Sequence, residues 1–152
     1  ELKSMDDNKI AYCGLFCQAC QMFLATADNR LIDLSQETQI PIDLLKCKGC
    51  RSSCTSLFCR NCAMKKCCMK KGLFSCADCN EFPCSVLKAF ENDQHPHHKG
   101  VIESLKTLKD KGGDGWINDQ NNRWSCSNCG NPYSWYDRNC RHCNEMVNGL
   151  KR

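Results

Sequence analysis

Six C-x-x-C pairs punctuate this chain: Cys17/Cys20, Cys47/Cys50, Cys59/Cys62, Cys76/Cys79, Cys126/Cys129 and Cys140/Cys143. Cysteine makes up 17 of 152 residues, about 11%, above the roughly 8–10% at which a chain reads as a thiol-built scaffold. Such a scaffold is closed by disulfides or by metals. The start, ELKSMDDNKI, is acidic and polar with no apolar h-region, so no secretory signal is expected. No stretch approaches the length needed to span a membrane. In a reducing cytoplasm, C-x-x-C pairs read as metal ligands rather than bridges, and a cytoplasmic metalloprotein with no membrane contact is the expectation.

The formal charge of +4 suggests an anionic partner only while every cysteine is counted as neutral. Each four-thiolate zinc site carries −2, so three such sites would bring +4 to −2, and four would bring it to −4. Net charge is therefore poor evidence for nucleic acid.

Along the chain, residues 1–9 read as a tag or disordered start, with the native start at Met5. Residues 10–95 read as a cysteine-rich metal-binding domain, 96–122 as a helical connector, and 123–148 as a zinc ribbon. Phe16, Cys20, Phe23, Leu24, Ala27, Leu31 and Leu34 recur near helical spacing. The run FCRNCAMKKCCMKKG at 58–72 is expected to be helical and closed by Gly72. Pro83 suits the first turn of a further helix, with Val86, Leu87 and Phe90 as its apolar face. Val101, Ile102, Leu105 and Leu108 mark another amphipathic segment, which KGGDG should break before a short helix in WINDQNNRW. Apolar residues are too dispersed for one large core, and small domains of this kind commonly rely on metals.

The most specific local signal is WSCSNCGNPYSWYDRNCRHC, residues 124–143. Two C-x-x-C knuckles ten residues apart present Cys126, Cys129, Cys140 and Cys143 to one tetrahedral zinc, with Zn–S near 2.3 Å. Tyr133, Trp135 and Tyr136 suit the strands of a ribbon. His142 is expected at the surface, pointing away from the metal.

Thirteen cysteines lie between residues 13 and 84, which is three four-cysteine sites and one over. Their pairing cannot be read from spacing. The order YCGL-x-C-x-x-C at 12–20, CKGCRS at 47–52, FCRNC then KKC at 58–67, and SCADCNEFPC at 75–84 resembles the prokaryotic cysteine-rich family known as domain of unknown function 3795, over residues 10 to about 92. The aromatic C-terminal unit resembles the zinc ribbon that some members carry. The resemblance implies Cys13, Cys17, Cys20, Cys47, Cys50, Cys59, Cys62, Cys67, Cys76, Cys79 and Cys84 as motif ligands. Cys54 and Cys68 match no position in it; one of the adjacent pair Cys67 and Cys68 is the expected spare thiol, and Cys54 is another doubtful ligand. The family brings no established reaction.

The C-x3-C-x2-C order of Cys13, Cys17 and Cys20 is also that of the cluster loop in radical enzymes using S-adenosylmethionine. Those enzymes need a barrel of roughly 200 residues or more, which this region cannot supply. The bacterial ferredoxin run is absent, since Pro83 precedes its cysteine. An iron–sulfur cluster stays as the alternative to three or four zinc ions.

His95, His97 and His98 in QHPHHKG have metal-binding chemistry, although a solvated connection is the plainer reading. Asp78 and Glu81 read as surface charges. Lys65, Lys66, Lys70 and Lys71, with Arg123, Trp124, Tyr133, Trp135, Arg138 and Arg141, could serve phosphates and base stacking. A solvated lysine face offsetting thiolate charge is the preferred reading. A reactive Cys54 or Cys68, activated by Lys65 and Lys66, would make a redox protein. The expectation is a small metal-stabilised α+β fold: an irregular cysteine-rich domain with short helices, then a β zinc ribbon. Its metals would be mainly structural, its role non-catalytic, and its partner a protein, with nucleic acid as the alternative.

Overall fold

The computed structural model describes residues 5–152. The residues before Met5, expected as an appended tag, lie outside the described residues, and Met5–Lys9 forms a 3-10 turn. Helices follow in the order α1 (Gln21–Ala27), α2 (Leu31–Thr38), α3 (Ile42–Leu45), α4 (Leu57–Arg60), α5 (Ala63–Lys71), α6 (Ser85–Glu91) and α7 (Val101–Arg123). The expected α+β fold with a β zinc ribbon is not what forms. Among the described residues there is no sheet, and isolated antiparallel pairing occurs only as single bridges at Ile10–Phe16, Ser125–Pro132 and Asn139–Met146.

Local hydrogen bonding explains why the C-terminal loops do not become strands. Gly130 N–H turns back to the Cys126 carbonyl, and Asn144 N–H to that of Cys140, both at 2.8 Å. These tight turns consume donors that a ladder would need. Pro132, at one bridge, has no N–H to offer. Of the aromatic residues expected on strands, Tyr133 and Trp135 are instead buried in the main core beside Trp124, and Tyr136 packs against it partly buried.

That core gathers Ile10, Phe16, Leu87, Leu105 and Trp116 with residues of the C-terminal loops. A smaller cluster of Ala25, Leu34 and Leu45 sits between α1, α2 and α3. α7 supplies the central strut. Val101, Leu105 and Leu108 bury one face of its first half, as the i, i+4, i+7 spacing dictates. At Gly112 the backbone leaves helical geometry (φ 76, ψ 175), where the KGGDG run was expected to break the segment. Trp116, fully buried beyond the kink, meets Phe16 edge-on at 5.8 Å. Its Nε1–H donates to Ser104 Oγ at 2.9 Å, and Ser104 Oγ donates to the Gly14 carbonyl at 3.2 Å. The two halves of α7 and the YCGL loop are thereby tied together. Gly14 adopts φ +91, and a Cβ there would stand 2.7 Å from Leu105 Cγ, so this motif glycine meets two demands at once.

Two local expectations shift. Gly72 does close α5 in the left-handed region. Pro83, however, lies before the α6 N-cap, Cys84, rather than in the first turn, and its peptide bond to Phe82 is cis. The buried face of α6 is then Leu87 with partly buried Phe90, and Val86 is half exposed. No helix among the described residues is long and apolar enough to cross a membrane.

Leu105→Ala should lower stability by about 2–5 kcal/mol, the range for truncating a buried leucine. Val86→Ala, at a half-exposed site, should stay within about 0.5 kcal/mol. Urea denaturation of the two variants beside the parent checks the contrast.

Candidate metal centres

Cys126 and Cys129 sit in one C-terminal turn, Cys140 and Cys143 in the next, and their four sulfurs lie within 4.8 Å of one another. Sγ–Sγ separations are 3.6 Å for Cys126–Cys143 and 3.5 Å for Cys129–Cys140. A tetrahedral zinc with 2.3 Å bonds requires an edge of about 3.8 Å, whereas a disulfide requires about 2.05 Å. The donor set therefore fits a single tetrahedral ion. The turns also feed polar hydrogens to the sulfurs, as in the 3.4 Å contacts from His142 N–H to Cys140 and from Asn131 Nδ2 to Cys129. Hydrogen bonding from the Asn131 backbone and side chain lowers the Cys129 pKa to about 6. Cys140, buried, is raised to about 11. His142 lies outside the quartet, with Nε2 3.6 Å from Asp28 Oδ2.

A second gathering of thiols is larger and looser. Cys13, Cys17, Cys20, Cys47, Cys50, Cys59 and Cys62 line one cavity with Tyr12, Leu15, Phe23, Lys65 and Trp135. Its free space is about 50 Å³, several times the roughly 10–15 Å³ that one water needs. Helix starts place many of these sulfurs: Cys20 is the N-cap of α1, Cys59 lies in α4 and Cys62 is the N-cap of α5. No group of three of these seven brings all its sulfurs within 4.8 Å of one another. Cys17 and Cys50 share a hydrogen bond, which raises Cys17 and lowers Cys50 to about 6, with the charges of Arg51 and Lys65 helping. Burial raises Cys20 to about 11 and Cys59 to about 12.

The other sequence-expected ligands fall elsewhere. Cys67 is exposed on α5. Cys79 accepts from Lys71 Nζ at 3.5 Å, and partly buried Cys84 caps α6. Cys76 is buried 3.7 Å from the sulfur of Cys68. Cys68, expected as a candidate spare or reactive thiol, is itself buried, which denies it the exposure that reactivity needs. Cys54 is partly buried, its carbonyl accepting from Lys48 N–H at 2.9 Å. Lys65 faces the cavity rather than a surface stripe, and the burial of Trp124, Tyr133 and Trp135 withdraws them from base stacking.

Sequence reasoning passed over Arg51. Its guanidinium lies 4.1 Å from the Tyr12 ring centre and 3.9 Å from that of Phe74. Nε donates to the Ile10 carbonyl at 2.8 Å and Nη2 to the Phe74 carbonyl at 2.5 Å. The CKGCRS motif placed an arginine beside Cys50, yet nothing in it announced aromatic partners from two distant segments.

A family model described as Protein of unknown function (DUF3795) matches residues 9–89, more than half of the chain. The chain belongs to this family. The DUF3795 region holds the seven-thiol cavity and all thirteen cysteines from Cys13 to Cys84, while the C-terminal quartet lies beyond the match. No curated protein and no solved structure matches the chain.

Arg51→Met should destabilise the protein by about 3 kcal/mol, given two hydrogen bonds from a charged donor and the stacking lost with them. Arg51→Lys should recover less than half, because an ammonium cannot span both carbonyls as a planar fork does. Denaturant titration of the two variants beside the parent checks both.

Proposed function

We propose that this DUF3795 member is a cytoplasmic zinc-binding protein whose metals are mainly structural and which serves as a protein-binding adaptor. The observation that carries the reading is the C-terminal quartet, four sulfurs within 4.8 Å of one another with two pairs at 3.5 and 3.6 Å, close to the edge of about 3.8 Å of a tetrahedral zinc site. Structural zinc contributes on the order of 10–16 kcal/mol of apparent binding free energy in finger peptides, more than most small domains hold as net stability. In the adaptor role, large apolar side chains left in solvent, such as Phe58 and Met69, would meet a partner. Cys76, Cys79, Cys84 and Cys67 would supply a further ion or its surroundings, giving three or four ions per chain.

A second reading concerns the seven-thiol cavity alone. Its sulfurs stand too far apart for one mononuclear site, and such spacing suits thiolates held apart by a polynuclear core, an iron–sulfur cluster being the common example.

Elemental analysis and a visible spectrum of protein purified without oxygen separate the readings. Three or four zinc ions and a colourless solution support the zinc scaffold. Iron with matching sulfide and a brown colour would replace it in the N-terminal region. Cys129→Ser, at an exposed quartet position, should release about one zinc equivalent, and a chelator should abolish the helical circular dichroism of the parent.

A further inference from the structure

The loop between α6 and α7 holds a third group of ligating side chains, chemically unlike the cysteines. Asp93, His95 and His98 bring a carboxylate oxygen and two imidazole nitrogens within 4.8 Å of one another. Asp93 Oδ2 is 2.7 Å from His98 Nδ1, and Oδ1 is 3.3 Å from His95 Nδ1. We propose that these three residues form an open site for one divalent transition-metal ion of the cobalt–nickel–copper–zinc group, separate from the thiol centres.

Geometry supports the assignment. Zinc-like ions bind imidazole nitrogen and carboxylate oxygen at about 2.0–2.2 Å, which sets donor–donor edges near 3.4 Å in a tetrahedron. The observed carboxylate–imidazole separations, 2.7 and 3.3 Å, lie just under that edge, so an ion can replace the protons that now lie between carboxylate and rings with a small outward shift of the side chains. Two imidazoles with one carboxylate select borderline metals over calcium or magnesium, which prefer oxygen alone. Three protein ligands leave one position for water or for an incoming donor atom.

The loop is also held in place before any ion arrives. His98 stacks on Phe90 at 3.8 Å with 20° between the ring planes, and its side chain is only 12% exposed. Asp93 Oδ1 accepts from His95 N–H at 2.8 Å. Glu91 Oε2 accepts from Ile102 N–H at 3.0 Å, closing the loop at the start of α7. His97, the third imidazole, is committed elsewhere: it stacks on Trp135 at 4.2 Å and its Nδ1 lies 2.7 Å from Tyr136 Oη. It acts as the strut that fixes the loop to the C-terminal region. His95, by contrast, is half exposed, with its ring against the two other imidazoles, which suits the ligand facing solvent.

The test is a cobalt(II) titration of untagged full-length protein whose cysteine centres are occupied as purified. The expected result is one added equivalent showing d–d bands without the sulfur-to-cobalt charge-transfer band. His95→Ala should lose that equivalent while keeping its thiolate-bound metal and its circular dichroism. His98→Ala should lose it too, with His95→Ala carrying the argument if removal of the stacked ring perturbs folding. The proposal is overturned if no added equivalent binds, if His95→Ala retains it, or if the added ion shows the thiolate band. Because only nitrogen and oxygen donors are read, this outcome is independent of whether the cysteines hold zinc or iron.

Discussion

The guanidinium of Arg51 joins backbone segments that no shared secondary structure connects. One carbonyl it receives comes from Ile10, just before the YCGL loop, and the other from Phe74, after α5. The rings of Tyr12 and Phe74 close over its two sides. Those segments carry Cys13, Cys50 and Cys76, so one side chain helps hold three loops in register, together with the bond that Cys76 N–H donates to the Tyr12 carbonyl at 3.0 Å. The same charge acts on Cys50 and Cys68, stabilising their thiolates after the hydrogen bonds from Cys17 and Cys76. A cation among ionisable sulfurs offsets their mutual repulsion.

α7 braces this assembly from the other side. Its kink at Gly112 lets one continuous element bury Leu105 against Gly14 and Trp116 against Phe16, before delivering the chain to Cys126. Trp135 then closes the circuit. Its N–H and the Ser134 hydroxyl both donate to the Ala19 carbonyl, at 3.2 and 2.9 Å. Its ring lines the seven-thiol cavity and also receives His97. A single indole is thus a wall shared by the thiol cavity, the histidine loop and the C-terminal turns.

What was legible in the sequence was whatever depends on local spacing. Cys126, Cys129, Cys140 and Cys143 converge because each C-x-x-C turn brings its own pair together, and only one further contact is needed. The break at KGGDG and the glycine closing α5 were legible for the same reason, since both are decided within a few residues. The β ribbon was misread because aromatic residues favour strands only when strand pairing is available to them. Here Tyr133 and Trp135 found better burial against α7 and the Ala19 segment. The cavity of seven thiols was hidden for a related reason. Which half-sites share a space depends on how α1, α4 and α5 approach one another, and adjacency in sequence does not report that. Arg51 and Asp93 escaped notice because each acts through partners on other segments or in other turns.

The chain holds two different thiol geometries. The C-terminal sulfurs lie within 4.8 Å of one another, two pairs at 3.5 and 3.6 Å, and two of them, Cys129 and Cys143, are already pulled toward the thiolate by hydrogen bonds. Buried Cys140, raised to about 11, is the quartet member that holds its proton. In the N-terminal cavity the sulfurs are spread, and burial holds Cys20 and Cys59 at about 11 and 12 and raises Cys13 and Cys62 as well. An ion or cluster entering it must expel protons that neutral water does not remove. Metal binding at either set of thiols would release protons and so weaken as the pH falls.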